Sequence, residues 1–118
     1  MATQLRTHMA IGALACAPWL LAACTTAGPM AECKTEFAKG HYPRAKEGLV
    51  AIERSALAWG RRERAEYALY RGLTTEALGN RAEAIVWLNE ARTIEDAAPG
   101  SLSPLDAKRL RMGLDTVR

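Results

Sequence analysis

The side chains of this 118-residue chain that are best suited to covalent chemistry are three cysteines, Cys16, Cys24 and Cys33. A thiolate binds metal, forms a disulfide or is chemically modified, and its spacing to other residues indicates which. After Cys24 the only histidine is His41, and no pair of cysteines or histidines stands at the spacing of a metal site. The three cysteines form no disulfide framework. The sequence therefore predicts no metal and no cofactor, and each cysteine is interpreted from its own surroundings.

The sequence also lacks the motifs of enzymatic nucleophiles and phosphate loops. It contains no Gly-x-Ser-x-Gly, no His-Glu-x-x-His and no glycine-rich phosphate loop. Ser55 and Ser101 have no general base beside them. Carboxylates alternate with arginines, which is typical of a solvated helix face with ion pairs. These carboxylates are Glu63, Glu66, Glu83, Glu90 and Glu95. We therefore expect no enzyme activity.

The first 23 residues have the pattern of a signal peptide. Residues 1–9 are polar with one positive charge, Arg6, and residues 10–23 are apolar and end in small residues. A helix that spans a membrane needs about 20 apolar residues, and this shorter run also contains Pro18. The pattern therefore favours a cleaved signal peptide over a membrane span.

The stretch Leu21-Ala22-Ala23-Cys24 follows this run and resembles the lipobox of bacterial lipoproteins. The resemblance implies that the chain is cut before Cys24, whose thiol then carries a diacylglyceryl group. Two or more acyl chains hold a protein stably at a membrane, whereas one does not. Thr25 stands where an aspartate would resemble the inner-membrane retention signal, so the resemblance implies the periplasmic face of the outer membrane. The alternative is an ordinary signal peptide that is cut after a small residue.

Residues 24–30 are then interpreted as the lipidated cysteine and a tether, and residues 31–118 as the folded domain. Cys33 has no intramolecular partner left in the mature chain. Two interpretations of it stay open. It is either a free thiol or forms a disulfide with a cysteine of another chain, which an oxidising periplasm permits.

The folded domain shows no strand signal, and proline and glycine divide it into five segments with helical spacing. Ser103, Pro104 and Asp106 form the start signal of the last helix. Glycines are expected to end the first three helices, and Trp59 lies on the apolar stripe of the second. The predicted helices are Ala31–Lys39, Pro43–Ala58, Arg62–Leu78, Arg81–Asp96 and Ser103–Thr116, and the three glycines are Gly40, Gly60 and Gly79. The predicted class is all-α.

A short pattern of glycine, polar residues and alanine occurs twice, at residues 40–45 and 79–84. Its two glycines are 39 residues apart, a period in the range of helical repeats. Between Ala65 and Asp96 the sequence resembles the tetratricopeptide repeat (TPR). The resemblance rests on a large residue, Leu88, between small ones. The small residues are Gly72, Gly79, Ala84 and Ala91.

The chain departs from the TPR pattern at several positions. Arg71 replaces a large apolar residue, Thr75 and Arg81 replace aromatics, and Asp96 replaces a proline. The repeat spacing also exceeds the usual length of about 34 residues. The resemblance implies a short array of αα-hairpins, with one fuller unit, one truncated unit and a C-terminal capping helix over residues 103–118. A generic helical bundle is the alternative.

The small number of units has a consequence for stability. About three repeats are usually needed to bury a continuous core, so we expect the domain to associate with itself or with another protein.

The net charge of +3 is mild and gives no reason to expect nucleic acid. We expect the protein to contact the membrane through the lipid on Cys24.

One cluster of basic and aromatic residues is a candidate partner-binding site, because arginine and aromatic side chains are enriched at interfaces. Its members are Trp59, Arg61, Arg62, Arg64, Tyr67, Tyr70 and Arg71. The alternative is a solvated helix start above core aromatics. Trp59 and Trp87 are likewise either core residues or a ligand platform.

The two resemblances together imply a function. We expect an outer-membrane lipoprotein that acts as a protein–protein interaction scaffold or accessory factor of an envelope complex, such as a secretion system, a pilus or an outer-membrane insertion complex. The alternative is a protein that binds peptidoglycan or lipopolysaccharide through the basic cluster between Arg61 and Arg71.

Overall fold

The structure is a computed structural model that describes residues 28–118, and these residues form five α-helices. The helices are α1 (Pro29–Ala38), α2 (Tyr42–Ala56), α3 (Arg61–Ala77), α4 (Arg81–Ala97) and α5 (Pro104–Val117). No strand occurs within residues 28–118, so the all-α prediction is confirmed for this range. The predicted signal peptide, the lipidated Cys24 and the part of the tether before Gly28 lie outside the described residues.

All five predicted helices are present, and two of their boundaries differ from the sequence prediction by two residues, the others by one residue at most. Helix α1 begins at Pro29, inside the predicted tether, because proline at the first turn sacrifices no hydrogen bond. Helix α2 ends at Ala56, so Trp59 lies in the α2–α3 loop and outside the helix. That loop tightens through hydrogen bonds such as Trp59 N–H to the Ala56 carbonyl, 3.1 Å. Gly60, which was expected to end α2, is instead the N-cap of α3.

The α1–α2 and α3–α4 loops are closed by the same turn, at the two glycines where the sequence predicts it. Gly40 has φ 77° and Gly79 has φ 85°, a left-handed conformation that favours glycine. In each turn the residue after the glycine donates to a carbonyl five positions back: His41 to Glu36 at 2.9 Å and Asn80 to Thr75 at 3.1 Å. This is the Schellman arrangement, and it leaves two similar helical hairpins.

Within the second hairpin the helices are antiparallel. Arg64 of α3 meets Glu90 of α4 at 3.6 Å, and Arg71 meets Glu83 at 3.2 Å, so residue numbers rise on one helix as they fall on the other. In the first hairpin the rings of Phe37 and Tyr42 approach to 5.5 Å across the turn. Short loops between packed helices favour this geometry.

Alternate helices, by contrast, are parallel. Lys34 of α1 meets Glu66 of α3 at 3.3 Å, and the rings of Phe37 and Tyr70 lie 5.3 Å apart, so residue numbers rise together. Across α3 and α5 the contacts rise in the same way, from Tyr70 with Asp106 to Leu73 with Gly113. Helices α1, α3 and α5 therefore form one layer, and α2 and α4 form the other.

Helix α3 lies at the centre and packs on every other helix. Its closest approach is to α4, where a Cβ added to Gly72 would lie 2.7 Å from Leu88 and 3.1 Å from the Leu88 backbone nitrogen. Leu88 and the alanines one turn to either side of it, Ala84 and Ala91, are completely buried. The small residues that the sequence singled out therefore permit this close contact. Other buried apolar residues are Leu49, Ala56, Ala65, Ala68, Leu69, Ile94, Leu102, Leu110 and Val117.

Helix α5 begins as the sequence predicts. The Ser103 hydroxyl accepts from the Asp106 N–H at 3.2 Å, and Pro104 occupies the first turn. The Asp106 carboxylate, which the capping pattern would direct back to Ser103, instead contacts Tyr70 and Arg109. None of the five helices combines the length and the apolar character that crossing a membrane requires.

Candidate functional site

Tyr70 and Arg71 are neighbours in α3, and their side chains contact different helices. Tyr70 faces α1 and α5, and Arg71 faces α2 and α4, because successive residues of a helix lie about 100° apart. We call the side around Tyr70 the inner face, formed by α1, α3 and α5. We call the side around Arg71 the outer face, formed by α2, α4 and the intervening surface of α3.

At the outer face Arg71 is only 6% exposed, yet it carries a full charge. Its Nη1 lies 3.4 Å from a Glu53 carboxylate oxygen, and its Nη2 donates to Glu83 at 3.2 Å. Nη1 also donates to the Tyr67 hydroxyl at 3.0 Å, one helical turn earlier. The guanidinium stands over the Trp87 ring, 5.1 Å from its centroid. Two carboxylates therefore neutralise this buried cation.

Further hydrogen bonds hold the partners of Arg71 in place. We call Arg71, these partners and the residues bonded to them the outer network. Lys46 donates to Glu83 at 3.1 Å, and this hydrogen bond, with help from Arg71, lowers the pKa of the Glu83 carboxyl. Tyr67 donates to the Leu49 carbonyl at 2.8 Å, and burial raises the pKa of its phenol. The Arg71 Nε has no hydrogen-bond partner within residues 28–118. The network joins α2, α3 and α4.

An aromatic row accompanies this network. Trp59 packs edge-to-face on Tyr67 with centroids 6.2 Å apart, and Tyr67 packs on Trp87 at 5.6 Å. Both tryptophans are half-buried. The sequence left open whether Trp59 and Trp87 are core residues or a ligand platform, and these contacts favour a packing role.

At the inner face Tyr70 is 3% exposed and lies between two cationic side chains. Its hydroxyl donates to Asp106 at 3.2 Å and accepts from Arg109 at 2.7 Å. Lys34 lies 5.5 Å from its ring centroid, and Phe37 packs edge-on at 5.3 Å. Burial, with the Asp106 charge as the next cause, raises the pKa of Tyr70 to about 12. Tyr70 therefore stays neutral through the physiological range.

A groove adjoins Tyr70 on the inner face. Its volume is about 240 Å³, and its lining is mainly apolar. Met112 is 60% exposed here, whereas Leu73 and Phe37 are half-buried. Glu76 is the one lining carboxylate, and no cation of residues 28–118 lies within 4.0 Å of it. Burial raises the pKa of Glu76. The one lining cation, Arg109, is paired with Asp106 at 3.0 Å. The complete lining is Phe37, Leu73, Glu76, Arg109, Met112, Gly113 and Thr116.

The structure separates the basic and aromatic cluster that the sequence singled out. Arg61, Arg62 and Arg64 are exposed at the start of α3, and Arg64 is engaged with Glu90. Trp59, Tyr67 and Arg71 belong to the outer network, and Tyr70 belongs to the inner face. These seven residues therefore do not form one continuous surface.

The inner groove was missed from sequence because its lining comes from three helices. The partners of Arg71 were also missed, although one signal pointed to them. Arg71 stands where the TPR pattern has a large apolar residue, and a charge at a core position requires opposite charges nearby. Glu53 and Glu83 supply them.

Within residues 28–118, Cys33 is the one cysteine and His41 is the one histidine. Cys33 is 5% exposed and unpaired, close against Gly48 of α2, and burial raises the pKa of its thiol. Of its two open interpretations, this burial favours the free thiol. The His41 Nδ1 lies 2.9 Å from Glu36, and this hydrogen bond lowers the pKa of the Glu36 carboxyl. No group of three metal-binding side chains occurs within residues 28–118.

Comparison of the chain with protein-family models, with curated proteins and with solved structures finds no match. What the protein does is therefore inferred from its own residues and contacts.

Proposed function

We propose that this protein is a periplasmic lipoprotein of the outer membrane that acts as a TPR-like interaction scaffold in an envelope protein complex. The observation that carries the proposal is the mainly apolar groove of the inner face, where Glu76 has no ion pair within residues 28–118 and the lining Arg109 is paired with Asp106. The lipid on Cys24 would hold the domain at the membrane and raise its concentration near partners.

The packing of the helices supports the TPR-like part of the proposal. Stacked hairpins place alternate helices parallel in one layer, and the parallel contacts of α1 with α3 and of α3 with α5 agree with this. The two hairpins share the Schellman turn at Gly40 and Gly79. In such arrays the curvature of the stack creates a concave surface, and that surface binds partners.

The chemistry of the inner groove indicates what it binds. The groove exposes apolar surface of Phe37, Leu73 and Met112. Burial of this surface by a partner would be favourable. Glu76 is partly desolvated and has no cation of the described range within 4.0 Å, so a basic side chain would complement it. The partner we propose is a protein segment that presents an apolar residue beside a lysine or arginine.

The first experiment tests the scaffold role. Tagged full-length protein is purified from cross-linked, detergent-solubilised envelopes, and the partners are identified by mass spectrometry. Met112→Glu is expected to remove a stoichiometric partner, because it places a charge in the apolar groove. Val86→Glu is the matched control, since Val86 is equally exposed, 64% against 60%, but lies on α4 of the outer layer.

The same experiment separates the scaffold from the envelope-binding alternative. Replacement of Arg61, Arg62 and Arg64 by alanine is expected to leave the captured partner unchanged. Loss of binding to purified peptidoglycan or lipopolysaccharide in this triple variant, with Met112→Glu unaffected, would contradict the scaffold. Burial of Arg71 already removes one member of that basic surface.

The anchor is tested separately with radiolabelled palmitate. Cys24→Ala is expected to abolish incorporation of the label and to release the protein from the membrane fraction. Label that persists in this variant would exclude lipidation at Cys24.

A further inference from the structure

The stack of helices has two ends, and no other element of residues 28–118 covers either of them. At the first end, α1 and α2 turn one flank away from α3. At the second end, α4 and α5 do the same. In a helical array each unit buries its flank against the next, so an uncovered flank is a surface that a further unit can occupy.

The first end carries an acidic groove between α1 and α2, with a volume of about 510 Å³. Three carboxylates and one guanidinium line it, from Glu32, Glu36, Glu47 and Arg44. Glu32 and Glu47 form no ion pair within residues 28–118. Its apolar lining includes Ile52. The groove therefore combines an excess of negative charge with an apolar lining.

The second end carries a smaller, basic groove between α4 and α5, of about 190 Å³. Its charged lining consists of two guanidinium groups, Arg92 and Arg118, beside apolar Ile85 and Leu114. Arg92 lies 3.9 Å from Asp96, and Arg118 lies 3.6 Å from Asp115. Exposed pairs of this kind are worth little, so these arginines can exchange partners.

We propose that copies of this protein associate head to tail, with the acidic α1–α2 groove of one copy against the basic α4–α5 groove of the next. The occupant is a second copy because the same chain supplies both complementary charges. Contact of either end with itself would oppose like charges and is disfavoured. The association is therefore heterologous, and it extends or closes into a ring instead of stopping at a symmetric dimer.

Charge reversal tests this proposal in the full-length protein purified in detergent. Glu47→Arg and Arg92→Glu each place like charges across the junction, and each is expected to weaken association about tenfold in sedimentation velocity. An equimolar mixture of the two single variants restores a complementary pair at every junction. The double variant does the same within one chain. Both are therefore expected to associate like the unchanged protein.

Two further variants and one measurement complete the test. Glu90→Arg and Arg61→Glu reverse exposed charges away from both ends and are expected to change nothing. Circular dichroism verifies that each variant is folded, and association of the unchanged protein is expected to weaken with added salt. The proposal is overturned if the unchanged protein remains monomeric at all concentrations. It is equally overturned if the mixture of single variants fails to recover association.

Discussion

Tyr70 and Arg71 are neighbours in the chain, and they show how one helix serves two different surfaces. On the outer face, two carboxylates, a tyrosine and a tryptophan surround the Arg71 guanidinium. With these partners around it, Arg71 is only 6% exposed. On the inner face, Tyr70 is equally buried but borders a groove with exposed Met112.

The difference between these faces indicates which kind of surface in a small helical array is a candidate binding site. A buried cation that is paired with carboxylates of the same chain mainly stabilises the fold. An apolar groove with a carboxylate that lacks a cation still has interactions to make. The sequence drew attention to Arg71, yet the groove that we propose as the binding site lies at the inner face.

Removal of Arg71 is expected to give the largest effect and tests the structural role of the outer face. Arg71→Ala leaves Glu53 and Glu83 without their shared cation and opens a gap beside Trp87. We expect a loss of about 3 kcal/mol in the free energy of unfolding, measured by urea denaturation. Arg64→Ala is the control, because its exposed pair with Glu90 is worth less than about 1 kcal/mol. Equal losses would contradict the assignment.

Alkaline pH should weaken the inner face through Tyr70. Its pKa rises from 10.0 to about 12 in the folded protein, so the folded state keeps a proton that the unfolded state loses. This stabilisation is fully present below pH 10 and is lost as the pH rises to about 12. We expect about 2–3 kcal/mol of stability to disappear over this range.

Tyr70→Phe separates this contribution from the other titrating groups. The variant is expected to show a shallower alkaline loss of stability, and its ultraviolet titration should lack the tyrosine that ionises last. An unchanged slope in Tyr70→Phe would show that Tyr70 does not titrate differently in the two states.

The smallest effect is expected from acid at the outer face. The hydrogen bond from Lys46 lowers the pKa of Glu83, so this carboxylate stabilises the fold above the ordinary value of 4.5. That stability is lost as the pH falls through the lowered pKa of the folded state. Because the Glu83 side chain is 30% exposed, solvent limits its contribution to less than about 1 kcal/mol.

Glu83→Gln should therefore flatten the acid side of the stability profile. Glu90→Gln is the matched control on the same helix, where the nearest cation is the exposed Arg64 at 3.6 Å. If the two variants behave alike in urea denaturation across acid pH, the outer network does not bind Glu83 more strongly than a surface pair.

Much of the fold was predictable because it depends on local chemistry. Gly40 and Gly79 end helices by adopting positive φ, and Ser103 caps α5 with its hydroxyl. Each of these interactions spans five residues or fewer. The α2–α3 boundary was less predictable: Trp59 continues the helical spacing, but it leaves the helix to pack on Tyr67.

The sequence by itself therefore determined five helices, their two glycine turns and the cap of the last helix, since backbone and short side chains near in sequence satisfy one another. Only the tertiary structure decided that Arg71 meets Glu53, that Cys33 is buried against Gly48, and that Met112 borders an open groove. These outcomes depend on which faces of distant helices meet. That choice is made by packing of the whole core around Gly72 and Leu88, and no short stretch of sequence contains it.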